Sequence, residues 1–428
     1  MFFKKLIILF IFIIFPLNIL HADLQIDIDV SAKQKSKIPI CLVKFKAKNN
    51  LNALSSKVFN IINNDLNFSD NFNIFKWEKT NVFQFTLPQE ILKAFNKAEF
   101  IISGEVGKSP LNSNEIYVTV KIYDIFLKKN NLYKRFYGKK SLYRKIAHRI
   151  SNNIMETLTG TKGIFEDKIL YVSNKTGLKQ IYLMDYDGKG VQQLIKNNTI
   201  NISPKIFKNY LYFTSFQNGS PEIFVKNLVT GYVKLLIKAG NFSASPDINQ
   251  HQEIVAMFEK GGDSEIGIFN KNGNLIKEIT DNIFNESSPV WSHSGNKIAF
   301  VSNRTGTPQI YIYDNVKNIT TRLTYTSKYC AYPSWGYNDT YIYFASLING
   351  KFKICRMSVG QMHYEQLTFG NFSEEFPSVS KDGKYLLFTR KIGFNRQIFI
   401  KNIETGKTFQ VTYDNSDKSY PSWYYGNY

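Results

Sequence analysis

The chain has 428 residues, of which 43% are hydrophobic and 15% aromatic, a globular composition that excludes an intrinsically disordered chain. The length suits about two domains at roughly 150 residues each, with room for a larger repeat array. Lys and Arg outnumber Asp and Glu by 54 to 34, a formal charge of +20, yet no arginine-rich helix or nucleic-acid motif accompanies it and the lysines are spread evenly, so a nucleic-acid partner is not expected.

The first 22 residues read as a secretory leader. Lys4 and Lys5 form a basic start, residues 6–20 an apolar stretch broken by Pro16 and Asn18, and Ala22 a small residue at a cleavage point. A membrane anchor would want about 20 uninterrupted apolar residues. No cysteine follows the cut, so no lipid is expected there, and no later stretch is long enough to span a bilayer. The expected compartment is the periplasm. Residues 23–36 begin with alternating acidic and aliphatic side chains: Asp23, Leu24, Ile26, Asp27, Ile28 and Asp29. The alternation fits a strand or a mobile tail, and such a terminus can bind a partner by adding a strand to a sheet edge.

Residues 37–160 predict a small α/β domain in the order βαβαβββα. Strands are expected at 38–45, 72–77, 100–106, 115–126 and 132–138, the last two joined by a hairpin around 128–131. Helical spacing marks 51–66, a proline-led turn marks 88–96, and 141–158 is a helix that Ser141 can cap and Gly160 can end. Residues 160–163 are the linker.

From residue 164 to 428 the pattern is all-β and periodic. Pro204, Pro246, Pro289, Pro333, Pro377 and Pro421 recur every 42–44 residues, and Trp291, Trp335 and Trp423 each follow a ladder proline by two. That period with strand content means a propeller or solenoid. In the unit around Pro289, strands are expected at 289–292, 297–302, 309–313 and 321–326. Second strands recur at 169–173, 211–215, 254–258, 342–346 and 386–389, and third strands at 180–184, 222–225, 265–269, 353–357 and 397–400. Six four-stranded blades follow. The first unit lacks an inner strand and the chain ends on a spare Pro421-Ser-Trp-Tyr, so the C-terminal strand is expected to complete blade one. The fold class is thus an α/β N-terminal domain plus an all-β six-bladed propeller. Cys41, Cys330 and Cys355 form neither a disulfide framework nor a zinc site; free buried thiols are expected, a Cys330–Cys355 bridge being the alternative.

Catalytic and metal signals fail on context. Gly262-Asp-Ser264-Glu-Ile-Gly267 is near a nucleophile elbow, but the last glycine is one place late and no strand–turn–helix surrounds it. His148, His251, His293 and His363 do not pair at ligand spacing, and His148 reads as structural. Asp185-Tyr-Asp187-Gly188 resembles the start of a calcium loop without the remaining ligands, so a β-turn is expected. The loops before each ladder proline should gather on one face around the channel. Their aromatic and acidic mixture suits a protein partner.

The chain is similar to the TolB family, periplasmic propeller proteins of the Tol–Pal envelope system. The resemblance rests on the leader, Leu158-Thr-Gly-Thr-Lys-Gly163, Gln180-Ile-Tyr-Leu-Met-Asp-Tyr-Asp-Gly188, Val290-Trp-Ser-x-x-Gly295, Ser302-Asn-Arg-Thr-Gly306 and the Pro-x-Trp end. It implies no enzymatic activity and no cofactor. It also implies a scaffold that links the lipoprotein Pal with TolA, for envelope integrity and cell division. The TolA-like contact would be residues 23–31. The Pal-like contact would use Phe242, Ser245, Glu286, Ser287, Tyr329, Tyr332, Glu374, Glu375 and Tyr420. The sequence departs from the family at Lys205-Ile-Phe-Lys, Trp335-Gly-Tyr-Asn and Val379-Ser-Lys-Asp, and at Phe242, Ser245 and Ser287. A propeller-containing hydrolase and a channel-based small-ligand sensor are the competing readings.

Overall fold

The computed structural model describes residues 36–77, 97–110, 112 and 114–425. The leader, the contact residues 23–31 and the expected helix at 88–96 lie outside them.

The N-terminal domain is a two-layer α/β unit. Its strands are β1 (Ile38–Val43), β2 (Lys46–Ala47), β3 (Phe72–Trp77), β4 (Phe100–Lys108), β5 (Glu115–Asp124) and β6 (Lys129–Lys139). The sheet runs β3-β1-β4-β5-β6, with β2 beside β4. β1 is parallel to both neighbours, and β4, β5 and β6 are antiparallel. Helices α1 (Asn52–Ser69) and α2 (Tyr143–Thr159) supply the second layer. Their apolar stripes, Val58, Ile62 and Leu66 from one and Ile146, Ile150 and Ile154 from the other, bury against Ile40, Leu42, Val118 and Val120.

Two local expectations are corrected. Ser141 does not cap α2: it lies inside a 3₁₀ turn, Lys140–Leu142, and the helix begins at Tyr143 with no side-chain cap. The β5–β6 hairpin turns at 125–128 instead of 128–131. Asp124 sets this, because its carboxylate accepts the Leu127 N–H at 2.8 Å and ends the strand there. Gly160 ends α2 as expected, at φ 72°.

The propeller has six four-stranded sheets. Inner strands are Asn201–Phe207, Ser243–Ile248, Glu286–Trp291, Cys330–Trp335, Glu374–Val379 and Lys418–Tyr424. The last pairs antiparallel with Lys168–Thr176, so the C-terminal strand completes blade one. In the unit around Pro289 the outer strand is Ile319–Arg322, shorter and earlier than 321–326. Past Arg322 the chain turns inward: the Leu323 N–H reaches the Ile310 carbonyl at 2.8 Å and Thr324 Oγ1 accepts the Ile310 N–H at 2.9 Å. All three cysteines are buried free thiols. Burial, with no compensating charge, pushes Cys41 and Cys355 up to about 12.

The two domains share one core. Ile164 and Phe165, just past the linker, join it with Tyr171, Tyr186, Tyr385 and Trp423 of the propeller. Phe68 of α1 packs on Tyr186 of blade one and on Tyr385 and Phe409 of blade six, at 5.1, 5.4 and 4.6 Å between ring centres. The helical layer therefore clasps the seam where the ring closes. A polar hub sits beside it. Asp65 accepts the Tyr186 hydroxyl at 2.5 Å and contacts His148 Nδ1 at 2.9 Å. Arg144 lies 3.2 Å from His148 Nε2. A guanidinium can only donate, so Nε2 accepts and Nδ1–H donates to Asp65.

Asp167, at the entrance to blade one, gives a pH signature. Burial, reinforced by the Asp382 carboxylate, pushes its carboxyl up to about 7 from 3.8. The folded chain then keeps a proton that the unfolded chain has already lost. The contribution of this group to stability is fully present below pH 4, declines as pH rises towards 7, and is lost above that. Asp167→Asn should remove this slope. Urea midpoints of variant and parent should agree near pH 4 and separate in favour of the variant at pH 8.

Candidate functional site: the channel face

Antiparallel alternation decides which loops share a face. Outer-to-inner loops and second-to-third hairpins lie at one end of each blade, and third-to-outer turns at the other. The α/β domain touches the third-to-outer turns of blades one and six, through Arg144 with Asp187 at 2.8 Å and Lys407 with Asp70 at 3.4 Å. The outer-to-inner face is therefore turned away from it.

At the centre of that face the ladder prolines line the channel. In all six blades the strand register shifts across the residue–proline step. The residue before each proline is left-handed: Ser203, Ser245, Ser288, Tyr332, Phe376 and Tyr420 have φ between 50° and 55°. Each such backbone costs about 1–2 kcal/mol. A bulge leaves its extra residue unpaired, so proline, which has no N–H, sits there without losing a ladder bond. The residues expected to be loop at these steps are thus bulged strand, aimed at the channel mouth.

The mouth has two unlike halves. Blades two, three and four give Ser203, Ser245 and Ser288. Blades five, six and one give Tyr332, Phe376 and Tyr420, whose rings pack in sequence at 4.1 and 4.6 Å. Arg396 lies over Phe376 at 5.6 Å and pairs with Asp417 at 2.7 Å and Glu375 at 3.0 Å. Burial raises the Tyr332 and Tyr420 phenols, so they stay neutral hydrogen-bonding groups. A groove between blades four and five joins Ser287 and Tyr332 to Tyr329, which stands edge-on to Phe352 at 5.4 Å.

Two expected contact residues are not on the surface. Glu286 and Glu374 are 0% exposed. Each opens an inner strand with its side chain buried beside an arginine of the second-to-third segment of its own blade, so it acts as an internal counter-ion. Glu286 accepts from Arg304 Nη2 at 2.8 Å and Ser302 Oγ at 3.0 Å. Glu374 pairs with Arg390 at 2.7 Å. Phe242 is half-buried, and its carbonyl accepts the Glu259 N–H at 2.9 Å. Ser245 is half-buried too, its N–H donating to Thr214 Oγ1 of the preceding blade at 3.0 Å.

The same face carries exposed aromatics that a search beside the prolines missed. Tyr325, Phe369, Phe372 and Tyr413 stand higher on the loops, and Phe394, at the tip of the blade-six hairpin, is 99% exposed. Loop segments rich in aromatics but well upstream of a proline were the available signal.

Ser264 is structural: it is buried, and its Oγ donates to the Glu286 carbonyl at 2.8 Å, tying blade three to blade four. His148, Asp185 and Asp187 converge closely enough to hold a cation. Arg144 already takes that place, at 3.1 Å from Asp185 and 2.8 Å from Asp187, with Lys168 at 2.6 Å from Asp185.

The buried and exposed groups should separate in a stability assay. Glu286→Ala leaves Arg304 without its carboxylate and should cost about 2–3 kcal/mol in urea unfolding. Phe394→Ser should change stability by less than about 0.5 kcal/mol.

Comparison with known proteins agrees with this architecture. Residues 155–426 match the TolB beta propeller domain and residues 26–131 the TolB amino-terminal domain. The Tol-Pal system protein TolB of Geobacter sulfurreducens is 40% identical over 99 residues, 23% of each chain. A protein TolB homolog of Chlorobium luteolum is 26% identical over 225 residues, 51% of this chain and 49% of that one. The matched stretches thus span between about a quarter and a half of these relatives' own length. The crystal structure of TolB from Acinetobacter baumannii superposes with a TM-score of 0.76 at 20% identity, over 91% of this chain and 96% of that one, which establishes the fold. With both domain families matched in order, and the propeller family alone spanning more than half of the sequence, this chain belongs to the TolB family.

Proposed function

We propose that the protein is a non-enzymatic, periplasmic protein-binding scaffold of the Tol–Pal system. In this reading the channel face receives a Pal-like lipoprotein and residues 23–31 engage a TolA-like partner, joining outer-membrane and inner-membrane components for envelope integrity and cell division. The observation that carries it is the channel face itself. Six strained X-Pro bulges fix a rigid mouth, and exposed aromatics surround it on loops that a closed ring holds in place. Exposed aromatic side chains on a rigid platform offer large contact area at low ordering cost, as protein interfaces require. No helix among the described residues is long and apolar enough to cross a membrane, so attachment to either membrane would come through partners.

The partner-contact set is revised accordingly. Ser287, Tyr329, Tyr332, Glu375 and Tyr420 remain with Phe242 and Ser245, and Glu286 and Glu374 act behind them as supports. The test is a pull-down from envelope extract with the chain from Asp23 onward and with a form lacking residues 23–34. Both should retain the Pal-like lipoprotein, and only the longer form should retain the TolA-like protein. Tyr329→Ala should lower lipoprotein capture several-fold while leaving TolA-like capture unchanged. Recovery of neither partner with either form would refute the assignment.

A further inference from the structure

The channel face does not use the far side of the α/β domain, and β6 is the outlying feature there. It is 11 residues long and ends its sheet, so among the described residues one whole edge of its main chain has no strand beside it. Residues 125–140 carry six cations, Lys128, Lys129, Lys134, Arg135, Lys139 and Lys140, and no Asp or Glu. Apolar groups stand among them in the open: Phe126 is 90% and Tyr133 55% exposed, with Leu127 and Tyr137 also exposed.

The two faces of β6 differ. Leu132 and Phe136 point into the helix-covered core, and Lys134 on that side reaches Asn153 of α2 at 2.9 Å. Alternation puts Tyr133, Arg135, Tyr137 and Lys139 on the other face. Arg135 is held there by the Tyr117 ring at 4.5 Å and Thr119 Oγ1 at 2.9 Å.

We propose that the β6 edge is a docking site for an extended acidic segment of a partner protein, added as a seventh strand. Three observations converge on that occupant. The free edge offers main-chain donors and acceptors that another strand satisfies. The unbroken positive charge repels a second copy of the same edge and attracts carboxylates, so it selects by sign. The side-chain alternation asks for carboxylates beside Arg135 and Lys139 on one face and for aliphatic groups beside Leu132 on the other. Lysines alone would only guard an edge; the exposed tyrosines between them supply apolar contact area. A bilayer fits less well, because lipid tails cannot satisfy the edge's peptide groups.

The probe is a fluorescein-labelled (Glu-Val)4 peptide titrated against the chain from Asp23 onward, followed by anisotropy. Saturable binding is expected. Lys129→Glu with Lys139→Glu should weaken it at least tenfold, and so should N-methylation of alternate peptide residues, which keeps the charge but blocks strand pairing. Circular dichroism of the double variant checks its fold, and the N-methylated peptide tests the idea on the unaltered protein. Equal binding of the N-methylated and parent peptides would reduce the effect to charge attraction and overturn the proposal. Absence of binding, or capture only by phosphatidylglycerol vesicles that Phe126→Asp abolishes, would overturn it too.

Discussion

Pairing of Lys418–Tyr424 with Lys168–Thr176 is the contact on which the rest of the propeller depends. Each blade has two apolar faces and covers them only with its neighbours, so a ring open at one place exposes two faces. The pairing removes that opening, and the α/β domain lies over the same place. Phe68 bridges blades one and six, and Asp65, His148 and Tyr186 join α1, α2 and blade one through one buried carboxylate. Loss of the closing strand would therefore loosen the domain junction as well as the ring.

The architecture was legible because it is periodic. A 42–44-residue recurrence of Pro and Trp carries the blade number, and the surplus strand at the end carries the closure. Local chemistry that competes with a pattern was less legible. Asp124 ends a strand through its own side chain, earlier than the apolar pattern suggests. Ser141 has the right identity for a cap, yet a preceding 3₁₀ turn takes it out of position.

The residues expected to make contact lie together at one end of the blades, but not all of them lie at the surface. Proximity to a ladder proline selects residues in the inner strand, and that strand begins inside the blade stack. Glu286 and Glu374 look like surface acids in sequence and are fully buried beside arginines. Nothing local distinguishes them from Glu375, one residue on, which faces the mouth and pairs with Arg396. Alternation along a strand whose start is not known cannot say which of two neighbouring acids points outward.

The ring's closure also has a temporal side. Ser173 and Ser416, whose hydroxyls lie 3.0 Å apart, are separated by 243 residues of chain. Blades two to six can form from neighbouring segments, while blade one waits for the last strand to arrive. Contacts of such long sequence separation form late and slowly. Until residues 418–424 are available the ring stays open whatever else has folded, so its closure is the last step of the propeller.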